Sequence, residues 1–150
     1  MSLRVLSPVS GRTVSLTEVP DQVFAQALVG PGIAVHPDDA ADALAPVDGT
    51  LATLHAHAFV VVAADGRGVL VHLGIDTVRM KGEGFTLHVV KGESVRAGQP
   101  VVRWDPKAVE AAGYSPLCPV VALDVSDDVL DISAAGEPVI AGTALFSWLT

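Results

Sequence analysis

The chain has 150 residues, and its 9 Lys or Arg against 17 Asp or Glu give a formal net charge of −8. This balance argues against a nucleic-acid or anionic-membrane partner, because such partners are bound by clustered cations. With 50% hydrophobic and only 17% charged residues, the chain is also too apolar and too weakly charged to be disordered. Its length favours one domain over residues 1–150.

No apolar stretch is long enough to cross a bilayer, since the longest purely apolar run covers only residues 58–64. The N-terminal residues lack the apolar region of a secretory signal. The only cysteine, Cys118, cannot form an internal disulfide, which is typical of a reducing compartment, and we expect it to be a small buried hydrophobic residue. The sequence therefore predicts a cytoplasmic protein without membrane insertion.

The first predicted element is a helical turn or two after Pro20. There, Val23, Phe24, Ala27 and Leu28 would share one helix face. Further along the chain, short Val-rich runs bounded by Gly, Pro or Asp are typical of strands in an all-β sandwich or barrel. These runs cover residues 51–54, 59–63, 69–73, 100–104, 120–123 and 144–149.

The strongest helix signal lies between two of these runs, at residues 105–113. Asp105 is a good N-cap residue, Pro106 suits the first helical position and Gly113 suits the end. Two internal repeats complete the pattern. Residues 7–14 recur as 45–52, and residues 92–102 recur as 136–146, which predicts two paired β-motifs packed into one body.

Three of the five histidines, His55, His57 and His72, fall inside apolar stretches. A two-residue hairpin turn at Asp65-Gly66 would place His57 and His72 as diagonal neighbours on one sheet face. A four-residue loop would place them directly opposite each other. In either register they form a pair, whereas a slip of one residue would separate them.

Such a pair allows several kinds of chemistry. A neutral imidazole nitrogen is a competent nucleophile towards phosphorus, and a second imidazole could donate a hydrogen bond to the incoming phosphoryl oxygens. The histidines could also be purely structural. A third reading is a zinc site, because His55, His57, His72 and Asp76 supply the His-x-His and His-x-x-x-Asp elements of some β-rich zinc peptidases, although in reversed order.

Seven segments in order resemble the glucose-type IIA component of the bacterial phosphoenolpyruvate-dependent sugar phosphotransferase system, over nearly the whole chain. They are SPVSG (7–11), VPDQVFA (19–25), VGPGIA (29–34), APVDGT (45–50), HAF (57–59), VHLGIDTV (71–78) and KGEGF (81–85). The resemblance implies an antiparallel β-sandwich, or barrel-sandwich hybrid, with a duplicated motif, short helical turns and a shallow active site.

The resemblance also assigns roles to residues. His72 matches the histidine that accepts the phosphoryl group on Nε2, and His57 matches the second histidine, which supports transfer. Gly74 matches the residue whose carbonyl orients the accepting imidazole. Asp76 matches an acid at the site margin, where a simple turn or cap role is an equal alternative. An apolar docking face is implied at Phe24, Leu28, Val29, Leu70 and Val78.

The implied partners are the histidine-containing phosphocarrier protein HPr as donor and the cysteine of a sugar-specific IIB domain as acceptor, both expected on separate polypeptides. Glucose and N-acetylglucosamine are the implied sugars. A regulatory role, in which the phosphorylation state governs binding to other proteins, is compatible with this function. No cofactor is required, and a zinc ion held by His57 and His72 at a partner interface is a minor alternative.

One position departs from the family pattern. Many members carry a hydroxyl residue two positions before the second active-site histidine, where this chain has His55. Residues at i and i+2 of a strand share a face. His55 could therefore supply the orienting hydrogen bond to His57, or it could simply extend the rim of the site.

Overall fold

Short strands make up most of the computed structural model, which describes residues 2–132 and 135–149. Within these ranges the strands are β1 (Leu3–Leu6), β2 (Gly11–Val14), β3 (Gly32–Pro37), β4 (Ala41–Leu44), β5 (Gly49–His55), β6 (Ala58–Val62), β7 (Gly68–His72), β8 (Phe85–Leu87), β9 (Ser94–Val95), β10 (Pro100–Trp104), β11 (Cys118–Ala122), β12 (Leu130–Ile132), β13 (Pro138–Val139) and β14 (Ala144–Trp148). The helices are α1 (Gln22–Ala25) and α2 (Pro106–Ala111), with 3-10 turns at Leu16–Glu18, Thr77–Met80 and Asp127–Val129.

The strands form three sheets in which the pairs are antiparallel. The largest has eight strands in the order β13-β2-β3-β11-β7-β6-β5-β9, and the two smaller sheets are β1-β14-β12 and β4-β10-β8. All six predicted strand regions coincide with strands, namely β5, β6, β7, β10, β11 and β14. The predicted fold class, an antiparallel all-β structure with short helical turns, is confirmed.

The two sequence repeats fold into equivalent pairings, so the duplicated motif is present in the structure. In one copy β13 pairs with β2, and in the other β9 pairs with β5. The turns match as well: the Gly142 amide donates to the Ser7 carbonyl at 2.9 Å, and the Gly98 amide donates to the Ala45 carbonyl at 2.8 Å. Each repeat segment thus pairs with a segment of the other repeat type.

Helix α2 forms as the sequence predicts. The Asp105 carboxylate accepts a hydrogen bond from the Lys107 amide at 2.9 Å, Pro106 occupies the first turn, and Gly113 has a φ of 94° just after the end. The side-chain cap satisfies one of the free amides of the first turn.

The helix predicted after Pro20 forms as a single turn, but the shared face assigned to it is wrong. Helix α1 ends at Ala25, and Ala27 lies beyond it with a left-handed φ of 54°. Phe24 is buried, whereas Val23 and Leu28 are 43% and 67% exposed. A single turn cannot carry a continuous apolar face, so these side chains point in different directions.

Buried side chains form two clusters. The larger one takes residues from all three sheets, including Val71, Phe59 and Trp104. The smaller one contains Phe24 and Val121 and has partly buried Leu70 packed against it. Because side chains alternate along a strand, β7 directs Val71 into the larger cluster and Leu70 to the other side of the sheet.

Two further expectations concern the membrane and the cysteine. Within the described ranges no helix is long and apolar enough to cross a membrane. Cys118 is fully buried in β11, and this burial raises the pKa of its thiol. The cysteine is therefore the small core residue that the sequence predicts, because a buried thiol rarely ionises.

Candidate active site

The β6–β7 hairpin places His57 and His72 in a register that the sequence did not predict. Ala58 lies opposite His72, and the loop has three residues, 64–66, because the Ala63 amide donates to the Arg67 carbonyl at 2.8 Å. Gly66 has a φ of 92°. This residue supplies the left-handed position of a three-residue loop, which outweighs the two-residue turn that Asp65-Gly66 also allows. Both predicted registers are therefore wrong.

The histidines nevertheless meet, because His57 lies in a turn and does not follow strand alternation. Strand β5 ends at His55, which pairs with Ala58 at the start of β6, so that Ala56 and His57 form the turn. The ring centroids of His57 and His72 are 5.3 Å apart with an interplanar angle of 71°. The two imidazoles lie together as predicted, although the strand registers from which this was predicted are wrong.

The His72 side chain is held on two sides. Its Nδ1 is 2.5 Å from the Gly74 carbonyl oxygen, and its ring meets Phe24 edge to face at a centroid distance of 5.2 Å. A carbonyl oxygen only accepts, so Nδ1 of His72 carries the proton and donates it. This fixes the tautomer in which Nε2 keeps a free lone pair.

Both imidazoles are held in the neutral form. Burial lowers the pKa of His72, against the hydrogen bond to Gly74 and the carboxylates of Asp21 and Asp76, which act in the other direction. For His57, burial and then the charges of His72 and His55 lower the pKa to about 4. At neutral pH the site therefore offers an uncharged nucleophile beside a second uncharged imidazole.

These pKa directions predict how stability depends on pH. Because the folded protein binds protons at His57 less readily than the unfolded chain, the unfolded state binds more protons between pH 6.5 and about 4. The contribution of His57 to the free energy of unfolding is therefore expected to be fully present above about pH 6.5 and to be lost as the pH decreases. Urea unfolding at several pH values should show that His57→Gln loses less stability on acidification than the wild type.

The exposed His36 of β3 provides the matched control for this measurement. His36→Gln removes an imidazole that is not among the ring contacts of His57 and His72, so the stability of this variant should follow the wild-type pH dependence. Equal losses of stability on acidification in the wild type and in His57→Gln would contradict the expected contribution of His57.

Gly74 fits its position because it has a φ of 80° and little free space. A Cβ atom there would lie 2.6 Å from Cγ2 of Thr77 and 3.0 Å from the Ser115 carbonyl oxygen. Thr77 is itself fixed, since it is buried and its hydroxyl donates to the Leu73 carbonyl at 2.8 Å. The carbonyl that orients His72 thus belongs to a tightly packed turn.

Gly74→Ala is accordingly expected to destabilise the fold by more than about 1–3 kcal/mol, the usual cost of a strained backbone position, because crowding adds to that strain. Gly66→Ala is a matched control, because Gly66 has a similarly positive φ of 92° but no neighbour within 4 Å of the added Cβ. Urea unfolding should show the larger loss for Gly74→Ala. If the two variants were equally stable, crowding around Gly74 would not be the cause.

His55 adjoins His57, whereas Asp76 acts on His72. His55 is exposed, and its ring stacks on that of His57 with a centroid distance of 5.6 Å and an interplanar angle of 23°. Asp76 is exposed in a turn with a φ of 61°, and its side chain makes no capping hydrogen bond. Its negative charge acts to raise the pKa of His72.

The residues expected to form a docking face divide into three groups. Leu28 and Val78 are 67% and 60% exposed. Val29 and Leu70 are half-buried against the smaller core cluster. Phe24 is buried and contacts His72, so it supports the face from below and is not part of the exposed surface.

The donor set does not fit a zinc peptidase. Across residues 2–132 and 135–149, no group of three or more His, Cys, Asp or Glu side chains is arranged to hold a metal ion. His55 and His57 stack face to face, which differs from the convergence of ring nitrogens that a tetrahedral ion requires. The zinc-peptidase alternative is therefore not supported.

Sequence reasoning missed three neighbours of the site. Asp21 caps α1 through a hydrogen bond from the Val23 amide at 2.9 Å, and its charge also acts on His72. Thr77 packs against Gly74, and the Ser115 carbonyl accepts from the Ile75 amide at 2.9 Å. The cap pattern at Asp21 was readable, but no local signal brings residue 115 to this turn.

Comparison with known proteins agrees with this fold. The family model described as the phosphoenolpyruvate-dependent sugar phosphotransferase system, EIIA 1, matches residues 3–128. The glucose-specific EIIA component of Oceanobacillus iheyensis is 36% identical over 132 residues, covering 87% of this chain and 79% of that protein. The solved structure of glucose permease IIA from Mycoplasma capricolum superposes with a TM-score of 0.90 at 34% identity, covering 98% of this chain and 96% of that one.

Other relatives are much longer than this chain. The N-acetylglucosamine-specific EIICBA component of Klebsiella pneumoniae is 39% identical over 145 residues, which is 95% of this chain but 22% of that protein. The matched region therefore occurs both in short EIIA proteins and inside multidomain components. The chain belongs to the glucose-type EIIA family of the phosphoenolpyruvate-dependent sugar phosphotransferase system and is a phosphocarrier of that system.

Proposed function

We propose that the chain accepts a phosphoryl group on Nε2 of His72 from HPr and passes it to the cysteine of a sugar-specific IIB domain. The observation that carries this proposal is the hydrogen bond from Nδ1 of His72 to the Gly74 carbonyl, at 2.5 Å. Because it fixes the proton on Nδ1, the nucleophilic lone pair is always on the other nitrogen. Nε2 is then the atom that forms the new bond to phosphorus.

The transfer balances without any cofactor. In the inward step, the lone pair of Nε2 attacks the phosphorus of the donor's phosphohistidine, and the donor nitrogen keeps the electron pair of the bond that breaks. In the outward step, the thiolate of the IIB cysteine attacks the same phosphorus, and the electron pair of the broken P–N bond returns to Nε2 of His72. A zinc ion at His57 and His72 would be an occupant of a partner interface and has no part in these steps.

Three groups stabilise the ring of His72 during transfer. As Nε2 bonds to phosphorus, positive charge develops on the imidazole, whose Nδ1 keeps its proton. The Gly74 carbonyl and the carboxylates of Asp21 and Asp76 favour that charge, in the same direction in which they raise the pKa of His72. Because they are already oriented, they stabilise the transition state without rearrangement.

His57 completes the site by acting on the phosphoryl group. Its ring is 5.3 Å from that of His72, close enough for a ring nitrogen to donate to a phosphoryl oxygen on Nε2. A neutral imidazole supplies such a donor. Hydrogen bonds that form only as charge moves through the transferring group accelerate transfer itself.

Partners are expected to bind the apolar surface around His72. Leu28 and Val78 are its exposed members. A phosphoryl group adds about −1.5 to −2 charge there, so it favours some contacts and disrupts others. On this basis we propose that the phosphorylation state also governs binding to regulatory targets, which a pull-down comparing the two states would test.

The remaining assignments follow from this role. We propose that residues 1–150 act as one EIIA domain in the cytoplasm, where the donor protein is found. The relatives named for glucose and for N-acetylglucosamine make these two sugars the leading candidates. The choice between them depends on the IIB and membrane components with which this chain works.

Reconstitution tests the proposal. The chain is incubated with three components: HPr, the enzyme that phosphorylates HPr, and labelled phosphoenolpyruvate. IIB domains of the glucose and N-acetylglucosamine types are then added as a chase. The expected result is an acid-labile label on the chain that disappears on addition of the matching IIB domain. Absence of label on the chain, while HPr itself is labelled, would contradict the proposal.

A further inference from the structure

His55 stands at the tip of the β5–β6 hairpin, next to the second imidazole of the site. It is the last residue of β5 and pairs with Ala58, so only Ala56 and His57 separate the two strands. This tight connection brings the side chains of His55 and His57 together. Their rings are nearly parallel, with an interplanar angle of 23° and a centroid distance of 5.6 Å.

The ring of His57 is held by other rings. Within residues 2–132 and 135–149, no protein group forms a hydrogen bond with the His57 side chain. In the same ranges, no buried side-chain nitrogen or oxygen lacks a hydrogen-bond partner. The aromatic contacts of His57 are the stack with His55 and the edge-to-face contact with His72. Packing between imidazoles therefore contributes to the orientation of His57 towards His72.

The stacked arrangement also excludes an orienting hydrogen bond from His55. Imidazole N–H groups lie in the plane of the ring, so two nearly parallel rings that face each other cannot form a well-aligned N–H···N bond. Offset stacking at a centroid distance of 4.5–7 Å is, by contrast, a favourable arrangement for aromatic rings. The stack is thus the means by which His55 acts on its neighbour.

We propose that His55 is a positioning residue for phosphoryl transfer, which stacks on the outer face of His57 and holds that ring towards the phosphoryl group on His72. This inference rests on the proposed phosphocarrier function. His55 does not touch the transferring group in this arrangement, and any flat ring at this position should perform the same task.

The two steps of transfer should respond differently to loss of the stack. The accepting nitrogen belongs to His72, which is oriented by Gly74 independently of His55. Phosphorylation by HPr should therefore change little in His55→Ala. Passage to the IIB domain depends on His57, and its rate should fall by about 2- to 12-fold, the factor that corresponds to the usual strength of an aromatic pair.

The test compares His55→Ala, His55→Phe and His55→Thr in the full chain. Rapid-quench kinetics give the rates of both steps, and NMR gives the ring-current shifts of the His57 ring protons, which a stacked neighbour displaces. His55→Phe should keep the near wild-type outward rate and a ring-current shift, whereas His55→Ala and His55→Thr should lose both. His36→Ala and His36→Phe control for loss of a histidine and gain of an aromatic ring elsewhere.

The possible outcomes distinguish failure of this inference from failure of the proposed phosphocarrier function. If the wild type is not phosphorylated on His72, the proposed function itself fails. If the wild type carries and passes the phosphoryl group but His55→Ala does so at the same rate, only the positioning role of His55 is overturned. Recovery of the rate in His55→Thr but not in His55→Phe would also overturn it, since a hydroxyl can donate a hydrogen bond but cannot stack.

Discussion

His72→Ala is expected to lose phosphoryl acceptance, with the rate of labelling by phosphorylated HPr falling by at least about 10³-fold. The substitution removes Nε2, the imidazole nitrogen whose free lone pair is held in place by the bond from Nδ1 to the Gly74 carbonyl. The neighbouring His57 is expected to be a poor replacement, because among residues 2–132 and 135–149 no carbonyl bonds to its ring and fixes its tautomer. The measurement is acid-labile label on the chain after incubation with the donor protein.

His72→Gln is the companion variant for this experiment. It keeps a polar side chain that can donate to the Gly74 carbonyl, so the turn around Gly74 should remain intact while the nucleophile is absent. Urea unfolding would establish that both variants fold. Acid-labile phosphohistidine at a rate near that of the wild type in either folded variant would show that another histidine accepts the phosphoryl group.

His57→Ala is expected to separate the two steps of transfer. The variant should still be phosphorylated, because the nucleophile and its orienting carbonyl are unchanged. Passage to the IIB cysteine should slow by about 10²- to 10³-fold, the usual effect of removing one hydrogen-bond donor from a transferring group. The measurement is a rapid-quench chase of the phosphorylated variant with the IIB domain.

His57→Gln tests the physical reason for this effect. An amide nitrogen can donate a hydrogen bond to a phosphoryl oxygen, so part of the outward rate should return. Equal outward rates in His57→Ala and in the wild type would contradict a role of His57 in transfer. If His57→Ala lost phosphorylation by HPr but kept the rate of passage to the IIB domain, the result would contradict the assigned roles, in which His72 accepts the group and His57 supports its onward transfer.

The strands that the sequence predicted are those that cross the larger core. Residues such as Val69 and Val71 of β7 are buried and β-branched, and such runs are recognisable from local composition. Strands β9 and β13 have only two residues each, at the edges of the large sheet. Their pairing depends on partners distant in sequence, so no local pattern predicts them, and only the repeats pointed to those segments.

The register of the β6–β7 hairpin shows why local turn signals can mislead. Asp65-Gly66 suits a two-residue turn, but the chain forms a three-residue loop in which Arg67 bonds to the Asp65 carboxylate at 2.8 Å. Both loops place a glycine at a positive φ. The choice between them depends on how β6 and β7 pack in the sheet, which the loop sequence does not contain.

The part of the candidate site that could be predicted is the part for which the family resemblance assigns residues. Gly74 orients His72 as that resemblance implies. The support beneath it was not predictable, since the Ser115 carbonyl and the Thr77 methyl meet Gly74 only after the chain has folded. The stack of His55 on His57 likewise results from a tight hairpin tip whose geometry the sequence left open.

The atom that carries the phosphoryl group is the most direct test of this account. The chain is labelled with ¹⁵N at histidine, phosphorylated with HPr and phosphoenolpyruvate, and examined by ¹⁵N–³¹P correlation at alkaline pH. We predict one coupling, to Nε2 of His72, with Nδ1 still protonated and bonded to the Gly74 carbonyl. A coupling to Nδ1 of His72, or to either nitrogen of His57 or His55, would contradict it.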